Sequence, residues 1–272
     1  MKRRLLTILL ALSMSITTTL AVTFAGDEDG KAEIKTADQL KAAMAFDMED
    51  GDLTIAEKKA LLNNTTEAAV AELIEEKLDA AADLLNGAEI EADMKNEPDG
   101  TTYAAYQYDL GDGCRLIVEL QDQAEISAGN MASTLAATSG SNEQWKDYGY
   151  RYFTARATVE CNVGTAFLNL ENHYTLSVNG IDERPGKAGL DSDNSRILIT
   201  HGIPDITDPT ARTPGGSDVN MHCDYTVKAL TASGTQSQKN TYRLSTTVKY
   251  LAIDKAGKRI RVGQAWRLAK KS

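Results

Sequence analysis

The 272-residue sequence predicts an antiparallel β-sandwich, or an open barrel, of about 7–9 strands preceded by a short helical N-terminal segment. From residue 101 onward, apolar residues alternate with polar ones, which is the period of a strand with one buried face. Between residues 26 and 100 the apolar residues instead recur with the period of a helix. Helices and strands do not alternate along the chain, so a parallel sheet of the nucleotide-binding type is not expected.

Residues 1–25 have the features of a secretory signal peptide. Three basic residues open the chain, an uncharged apolar run covers residues 5–16, and small residues follow as far as Ala25. The apolar run is shorter than the ~20 residues that a membrane-spanning helix needs. We therefore expect cleavage after Ala21 or Ala25, no stable membrane insertion afterwards, and a protein that is secreted, extracellular or loosely attached to the cell surface.

Residues 26–100 form an acidic segment that is predicted to be helical and to pack on the domain that follows it. The segment holds 21 acidic and 7 basic residues, a net charge of −14. Thr36 and Thr54 each begin a pattern typical of a capping box at a helix start. A longer helix is predicted from about Thr66 to Asn86, with Gly87 at its end. Its apolar face consists of Val70, Leu73, Ile74, Leu78, Ala81 and Leu85.

Residues 101–272 are predicted to form the β-sandwich domain. Strands with one apolar and one polar face are joined by turns, which favours antiparallel pairing. The alternation predicts strands within residues 114–121, 152–161, 166–178, 219–228, 243–252 and 259–268. Segments rich in Ser, Gly, Pro, Asn and Asp predict loops at residues 128–142, 184–194 and 202–217.

Cys114, Cys161 and Cys223 all fall on the apolar side of their strands, so each is expected to point inward. Their odd number leaves at least one thiol unpaired within the chain, while one disulfide is compatible with export. His222 neighbours Cys223 but projects to the opposite face of the strand, which argues against a zinc site. No metal or cofactor is predicted.

Four aromatic residues follow one another at the start of a predicted strand: Trp145, Tyr148, Tyr150 and Tyr152. The tyrosines are spaced by two residues and share the polar side of the strand, which directs them toward solvent. An exposed aromatic stripe on a secreted β-sandwich is suited to stacking against sugar rings. These residues are the candidate glycan-binding site, and the alternative is that another segment of the chain covers them.

The last 45 residues, from Lys228 to Ser272, hold 11 basic residues and one acid. Like charges on neighbouring strands repel one another, so a negative partner is expected against this face. The two candidates are the acidic segment 26–100 and an anionic polymer of the cell envelope. Nucleic acid is not expected, because without the three leader bases the net charge becomes −13 rather than −10. The basic residues that share one face are Arg243, Lys249, Arg259, Arg261 and Arg267.

The sequence lacks the short motifs that mark serine hydrolases, zinc proteases, phosphate-binding loops and dinucleotide-binding loops. We therefore expect a secreted, non-enzymatic protein that binds glycan or an anionic cell-envelope polymer. One alternative is a secreted hydrolase, because two catalytic carboxylates that meet only in the folded chain leave no motif. Another is a subunit of an extracellular protein assembly. No catalytic residue is predicted.

Overall fold

Three helices and fourteen strands occur in the part of the chain that this computed structural model describes. The predicted signal peptide lies outside the described residues, which are 33–47, 53–97, 100–125, 144–192, 197–230 and 236–271. The helices are α1 (Ala37–Asp47), α2 (Ile55–Asn63) and α3 (Glu67–Leu84). The strands are β1 (Ile90–Glu91), β2 (Lys95–Asn96), β3 (Thr102–Gly111), β4 (Cys114–Ala124), β5 (Gln144–Asp147), β6 (Gly149–Cys161), β7 (Gly164–Ser177), β8 (Gly180–Ser192), β9 (Ile197–His201), β10 (Asp205–Asp208), β11 (Thr210–Ala211), β12 (Asp218–Leu230), β13 (Gln236–Asp254) and β14 (Arg259–Lys271).

The strands form two antiparallel sheets of seven strands each, which confirms the predicted fold class. The first sheet has the order β1-β14-β13-β12-β10, with β5 also paired to β14 and β9 to β12. The second sheet has the order β11-β8-β7-β6-β4-β3-β2. The long strands, β3, β4, β6, β7, β8, β12, β13 and β14, correspond to the predicted 7–9. The other strands have two to five residues, too few to show an alternating pattern.

Strand β8 corrects one prediction, because residues 184–192 belong to a strand and not to a loop. Pro185 and Gly186 suggested a turn, but they lie in a bulge where the pairing of β7 with β8 shifts register. A side chain at Gly186 would come within 2.3 Å of the Glu171 carbonyl oxygen and 2.4 Å of the Met221 sulfur. The glycine therefore permits close contact between the two sheets, and the strand continues past it.

The hydrophobic core lies between the sheets, and α3 packs against both of them. Tyr242 of β13 donates its hydroxyl hydrogen to Asp79 Oδ1 at 2.6 Å, which ties α3 to the first sheet. Lys77 Nζ lies 2.6 Å from Asp112 Oδ2 in the turn between β3 and β4, which ties α3 to the second sheet. The large aliphatic residues buried on α3 contribute roughly 6–12 kcal/mol of gross burial energy. They are Val70, Leu73, Ile74 and Leu78.

The described helices begin where the sequence indicates. Thr54 and Glu57 form a reciprocal capping box at the start of α2. Thr66 caps α3, accepting a hydrogen bond from the Ala69 backbone N–H at 3.3 Å. None of the helices in the described residues is both long enough and apolar enough to cross a membrane.

A disulfide joins Cys114 of β4 to Cys161 of β6, and the two residues are directly paired across the second sheet. Cys223 is a buried free thiol. The inward direction expected for all three cysteines is observed. Because the bridge closes a loop with a sequence separation of 47, restriction of the unfolded chain contributes up to about 4 kcal/mol in the chain-entropy model.

Candidate functional site

The outer face of the second sheet carries a group of side chains that we call the tyrosine cluster: Tyr150, Tyr152, His173 and Arg184. The register places Tyr152 of β6 opposite His173 of β7, and His173 opposite Arg184 of β8. Tyr150 lies one pair further along, opposite Thr175. Because side chains alternate along a strand, the inward positions between them belong to the core, and these four face outward.

Contacts between the rings and the guanidinium group organise the tyrosine cluster. The guanidinium carbon of Arg184 lies 4.3 Å from the centroid of the Tyr150 ring, and Arg184 Nε donates to Thr175 Oγ1 at 2.8 Å. The rings of Tyr152 and His173 meet edge to face, with centroids 4.7 Å apart. Tyr150 still exposes 45% of its surface. The contact with Arg184 therefore orients the Tyr150 ring, while part of the ring remains exposed to solvent.

The environment of the cluster is polar. His173 Nε2 lies 2.5 Å from Glu171 Oε1, which orients the imidazole ring. A hydrogen bond with Glu125, reinforced by nearby negative charge, raises the pKa of the Tyr152 phenol. A sugar ring has an apolar C–H face and a rim of hydroxyl groups. An exposed ring beside hydrogen-bonding side chains matches both parts of such a ligand.

The four aromatic residues of the predicted stripe do not share one surface. Trp145 lies on β5, which pairs with β14 in the first sheet, and it is 36% exposed. Tyr148 lies between β5 and β6, where it is half-buried and packs against the core. The chain passes from one sheet to the other at this point, and Gly149 takes a φ of +141° that side chains disfavour. Only Tyr150 and Tyr152 remain together on an outer face.

The basic residues predicted to face an anionic partner are largely engaged with acids of the same chain. Arg243 Nε lies 2.7 Å from Asp224 Oδ1, and the hydrogen bond from Arg243 is the main cause that lowers the Asp224 pKa to about 2. Arg259 pairs with Asp254 at 2.8 Å. Both acids belong to the β-domain itself, which the sequence prediction did not consider.

The acidic segment supplies carboxylate partners for Lys249, and one of them, Glu89, also interacts with the charge of Arg267. Lys249 Nζ lies 2.9 Å from Glu89 Oε1 and 3.1 Å from Glu91 Oε1. Burial raises the pKa of Glu89, but hydrogen bonds from Lys249 and Thr247, with the charge of Arg267, outweigh it and lower the pKa. Arg261 lies on β14 opposite Ala252, and it also has interactions within the chain.

A second group of polar residues, the buried charge cluster, lies between the sheets: Asp122, Lys146, Arg151, Tyr174 and Gln264. Asp122 is fully buried, and its Oδ1 accepts from Arg151 Nε at 2.7 Å. The Tyr174 hydroxyl and the Gln264 amide both donate to Asp122 Oδ2. Gln264 and Lys146 come from the first sheet and the others from the second, so the cluster joins the two sheets.

The buried charge cluster contains two cations and one anion. Burial raises the pKa of Asp122, but the charges of Arg151 and Lys146 outweigh this effect and lower it. Burial lowers the pKa of Lys146 to about 8, although Asp122 opposes the shift. Lys146 Nζ donates to Thr102 Oγ1 at 2.8 Å. Since these groups are shielded from solvent, their role in this conformation is to hold the sheets together.

The sequence contains a signal for this cluster, because charged residues occur at inward positions of two strands. The inward phase of β4, which includes Leu116, Val118 and Leu120, continues to Asp122. Arg151 likewise has the inward phase of β6. Charged residues at core positions are rarely buried without a partner. Their pairing could therefore have been predicted. Gln264 likewise has the inward phase of β14, between Val262 and Trp266, whereas β5 is too short to show that Lys146 points inward.

For the alternative of a hydrolase, the candidate catalytic acid considered among the described residues is Glu183. Burial is the main cause that raises its pKa to about 8, and the charge of Asp208 raises it further. A raised pKa is a feature of catalytic acids. However, both Glu183 carboxyl oxygens are shielded from solvent, so a polymeric substrate cannot reach them in this conformation.

A pocket of about 260 Å³ lies where β2 meets β3. It carries two acids, Asp93 and Glu97, beside Lys95 and two tyrosines. Among the residues that the structure describes, no three His, Cys, Asp or Glu side chains are placed to hold a metal ion. The pocket is lined by Asp93, Lys95, Glu97, Tyr103, Ala104, Ala105 and Tyr106.

Comparison of the chain with protein-family models, curated proteins and solved structures finds no match in any of the three. A function for the protein therefore has to be argued from the chemistry of its own residues. Of the surfaces described above, the tyrosine cluster combines exposure, aromatic rings and hydrogen-bonding groups.

Proposed function

We propose that the protein is a secreted, non-enzymatic binding protein that holds glycan chains on the outer face of its second sheet. The observation that supports this proposal is the exposed ring of Tyr150, set beside Tyr152, His173 and Arg184 on the outer face of the sheet. Aromatic rings supply contact area at little cost in side-chain entropy, and the polar neighbours supply hydrogen bonds to sugar hydroxyls.

The disulfide between Cys114 and Cys161 supports the proposed export of the protein. Disulfides persist in oxidising compartments outside the cytosol and are rare within it. This observation is independent of the apolar run in residues 5–16, and both favour the same location. A binding protein outside the cell has the polymers of cell surfaces as available ligands.

The in-chain ion pairs favour the tyrosine cluster over the basic face as the binding surface. Arg243, Lys249 and Arg259 already have carboxylate partners at 2.7–2.9 Å. An external polyanion would have to displace these acids before it could bind. A sugar ring that contacts Tyr150 displaces only water from the exposed part of the ring.

A single stacking contact contributes on the order of 1 kcal/mol, so one sugar residue is expected to bind weakly. A polymer presents many equivalent residues, and a surface coated with polymer allows several protein molecules to bind side by side. The effective local concentration of sites then raises the retained fraction well above that of the monosaccharide. The proposal therefore predicts that the protein is retained on polymers, and that free sugars compete only weakly with this binding.

The test is co-sedimentation of the exported chain, expressed with its own leader, with insoluble polysaccharides and purified cell walls. We expect pelleting with at least one polymer and a clear loss of pelleting in Tyr150→Ala. Phe167→Ala is the matched control, because Phe167 is an aromatic residue of the same sheet, on β7, the strand that pairs with β6. It lies eight residues from Thr175, the partner of Tyr150, or about 26 Å along the strand.

Two results would contradict the proposal. One is the absence of pelleting with every polymer at both low and high salt. The other is an equal loss in Tyr150→Ala and Phe167→Ala, since that would show a general effect of removing a ring. Release of soluble sugar during the incubation would instead favour the hydrolase alternative.

A further inference from the structure

We infer that the ligand of the tyrosine cluster is an acidic glycan, and that Arg184 binds its carboxylate or phosphate group. This inference rests on the proposed function and adds the chemical class of the ligand. The shared chemistry is an anionic oxygen group carried on a sugar chain. The two sources of that chemistry, uronic acid residues and phosphate-bearing wall polymers, are separated by the experiment below.

Arg184 is held in place without a carboxylate. Its Nε donates to Thr175 Oγ1 at 2.8 Å, and its guanidinium carbon lies 4.3 Å from the Tyr150 ring centroid. Among the described residues, no acid forms an ion pair with Arg184. The two contacts orient the guanidinium and leave its terminal nitrogens available to an external acceptor.

On the outer face of the sheet, the acids closest to Arg184 in the strand register contact other residues. Asp182 forms a two-nitrogen contact with Arg212. Glu171 contacts His173 at 2.5 Å. At the far end of the same sheet, Arg115 and Glu160 form a bidentate pair with distances of 2.9–3.1 Å. Arg184 therefore differs from Arg212 and Arg115, which are both paired with carboxylates of the same chain.

The shape of the guanidinium group favours an oxyanion as its ligand. Its planar set of N–H donors matches the two oxygens of a carboxylate or phosphate, and such charge-assisted bonds are stronger than neutral ones. Lys187 adds a second positive charge nearby, since its side chain is 76% exposed and its Nζ lies 3.9 Å from Glu171 Oε1. Glu171 and Glu125 partly offset these positive charges, so the preference for an anion rests on the guanidinium of Arg184 and not on the net charge of the surface.

The stacking group and the anion-binding group lie close enough to act on one sugar residue. The guanidinium covers part of the Tyr150 ring, while 45% of the Tyr150 surface remains exposed. A sugar that carries an acidic substituent can contact the exposed ring and direct the substituent to Arg184. A neutral sugar makes only the first of these contacts, so we expect the acidic form to bind more tightly.

The test compares polygalacturonate with its methyl ester, which has the same backbone without the charge. A glycerol-phosphate wall polymer provides the phosphate arm. Binding is measured by affinity electrophoresis at low and high salt for the native chain, Arg184→Gln and Arg115→Gln. Arg115→Gln is the matched control, because it removes one positive charge from the same sheet without touching the tyrosine cluster.

We expect the native chain to bind at least one acidic polymer about tenfold or more tightly than the neutral ester, as charge-assisted hydrogen bonds imply. Arg184→Gln should remove this preference and retain the weaker binding of the ester. Arg115→Gln should keep the preference, and high salt should weaken the acidic arm only. Whether polygalacturonate or the phosphate polymer shows the preference identifies the source of the anion.

The inference and the proposed function fail in different ways. Equal binding of acidic and neutral polymers by the native chain, lost from both in Tyr150→Ala, would overturn the inference and leave the proposed function intact. Equal loss of preference in Arg184→Gln and Arg115→Gln would also overturn it, because net charge alone would then decide binding. Failure of all polymers to bind the native chain would overturn both proposals. If Arg184→Gln does not fold, Arg184→Lys keeps the charge and should bind acidic polymer more weakly than the native chain.

Discussion

Replacing Asp122 with Asn is expected to lower the free energy of unfolding by about 3–5 kcal/mol. Asp122 is fully buried, and it is the one acid among the five residues that define the buried charge cluster. It interacts there with the charges of Arg151 and Lys146. The substitution keeps the size of the side chain but leaves both cations without their anion. It also places an amide N–H₂ where the Tyr174 hydroxyl and the Gln264 amide now donate.

This loss is large enough to measure by two methods. For a domain of this size, a change of 1 kcal/mol shifts the thermal midpoint by roughly 2–4 °C, so the expected decrease is about 6–20 °C. Urea unfolding followed by circular dichroism gives the free energy directly. Asp147→Asn is the matched control, since Asp147 is an exposed acid on β5 beside Lys146, and its effect should stay within about 0.5 kcal/mol.

A double mutant separates the charge effect from a simple packing defect. Arg151→Met removes the closest cation, so Asp122→Asn should cost less in that background than in the native chain. The reasoning would be refuted if Asp122→Asn unfolded within 1 kcal/mol of the native chain. It would also be refuted if the effects of the two substitutions were additive, because additive effects show that the side chains do not interact.

Two further predictions concern the same interior and the disulfide. Burial lowers the folded-state pKa of Lys146 from 10.5 to about 8, so the unfolded chain binds more protons between these values and stability should rise with pH across this interval, by about 3 kcal/mol at most. Buried tyrosines with raised pKa values, such as Tyr225 and Tyr242, lower stability near pH 10 in any variant that keeps them. The contribution of Lys146 is therefore the difference between the native chain and Lys146→Met, which should grow in favour of the native chain from pH 7.5 to 10, and parallel curves would contradict the prediction. Removing the disulfide by Cys161→Ser should lower stability by about 2–4 kcal/mol, whereas Cys223→Ala should change it less, and equal midpoints for native chain and Cys161→Ser would contradict this.

The fold class was predictable because burial of one sheet face imposes a period of two on the sequence. In β6 and β7 the apolar residues alternate with polar ones over most of the strand, and the structure buries that set together with Arg151 and Asn172. The amphipathic face of α3 was predictable for the same reason, with Thr66 as its cap. In each case the signal comes from residues that are close together along the chain.

The parts that were missed depend on contacts between residues that are distant in sequence. Asp122 and Gln264 are 142 positions apart, and no local pattern shows that they meet. Strand β8 was interpreted as a loop because Pro185 and Gly186 resemble a turn, although a bulge accommodates them. Trp145 was grouped with Tyr150 because the switch of the chain between sheets at Gly149 has no clear sequence signal.

The candidate site was predictable only in part. The sequence analysis selected Tyr150 and Tyr152 from their spacing, but it did not identify His173 or Arg184. These two join the tyrosines through cross-strand register, which a single sequence does not reveal. The engagement of Arg243 by Asp224 was missed because the acidic segment was the only in-chain partner considered.

The most direct test of glycan binding by the tyrosine cluster is a comparison of dissociation constants for the polymer that sediments the native chain. Each constant would be measured for the native chain, for Phe167→Ala and for the double variant Tyr150→Ala/Tyr152→Ala, after thermal unfolding confirms that all three are folded. Removing both rings should weaken binding about fivefold or more, since each stacking contact contributes roughly 0.5–1.5 kcal/mol, while Phe167→Ala should leave the constant unchanged. An unchanged constant in the double variant would contradict glycan binding at this face.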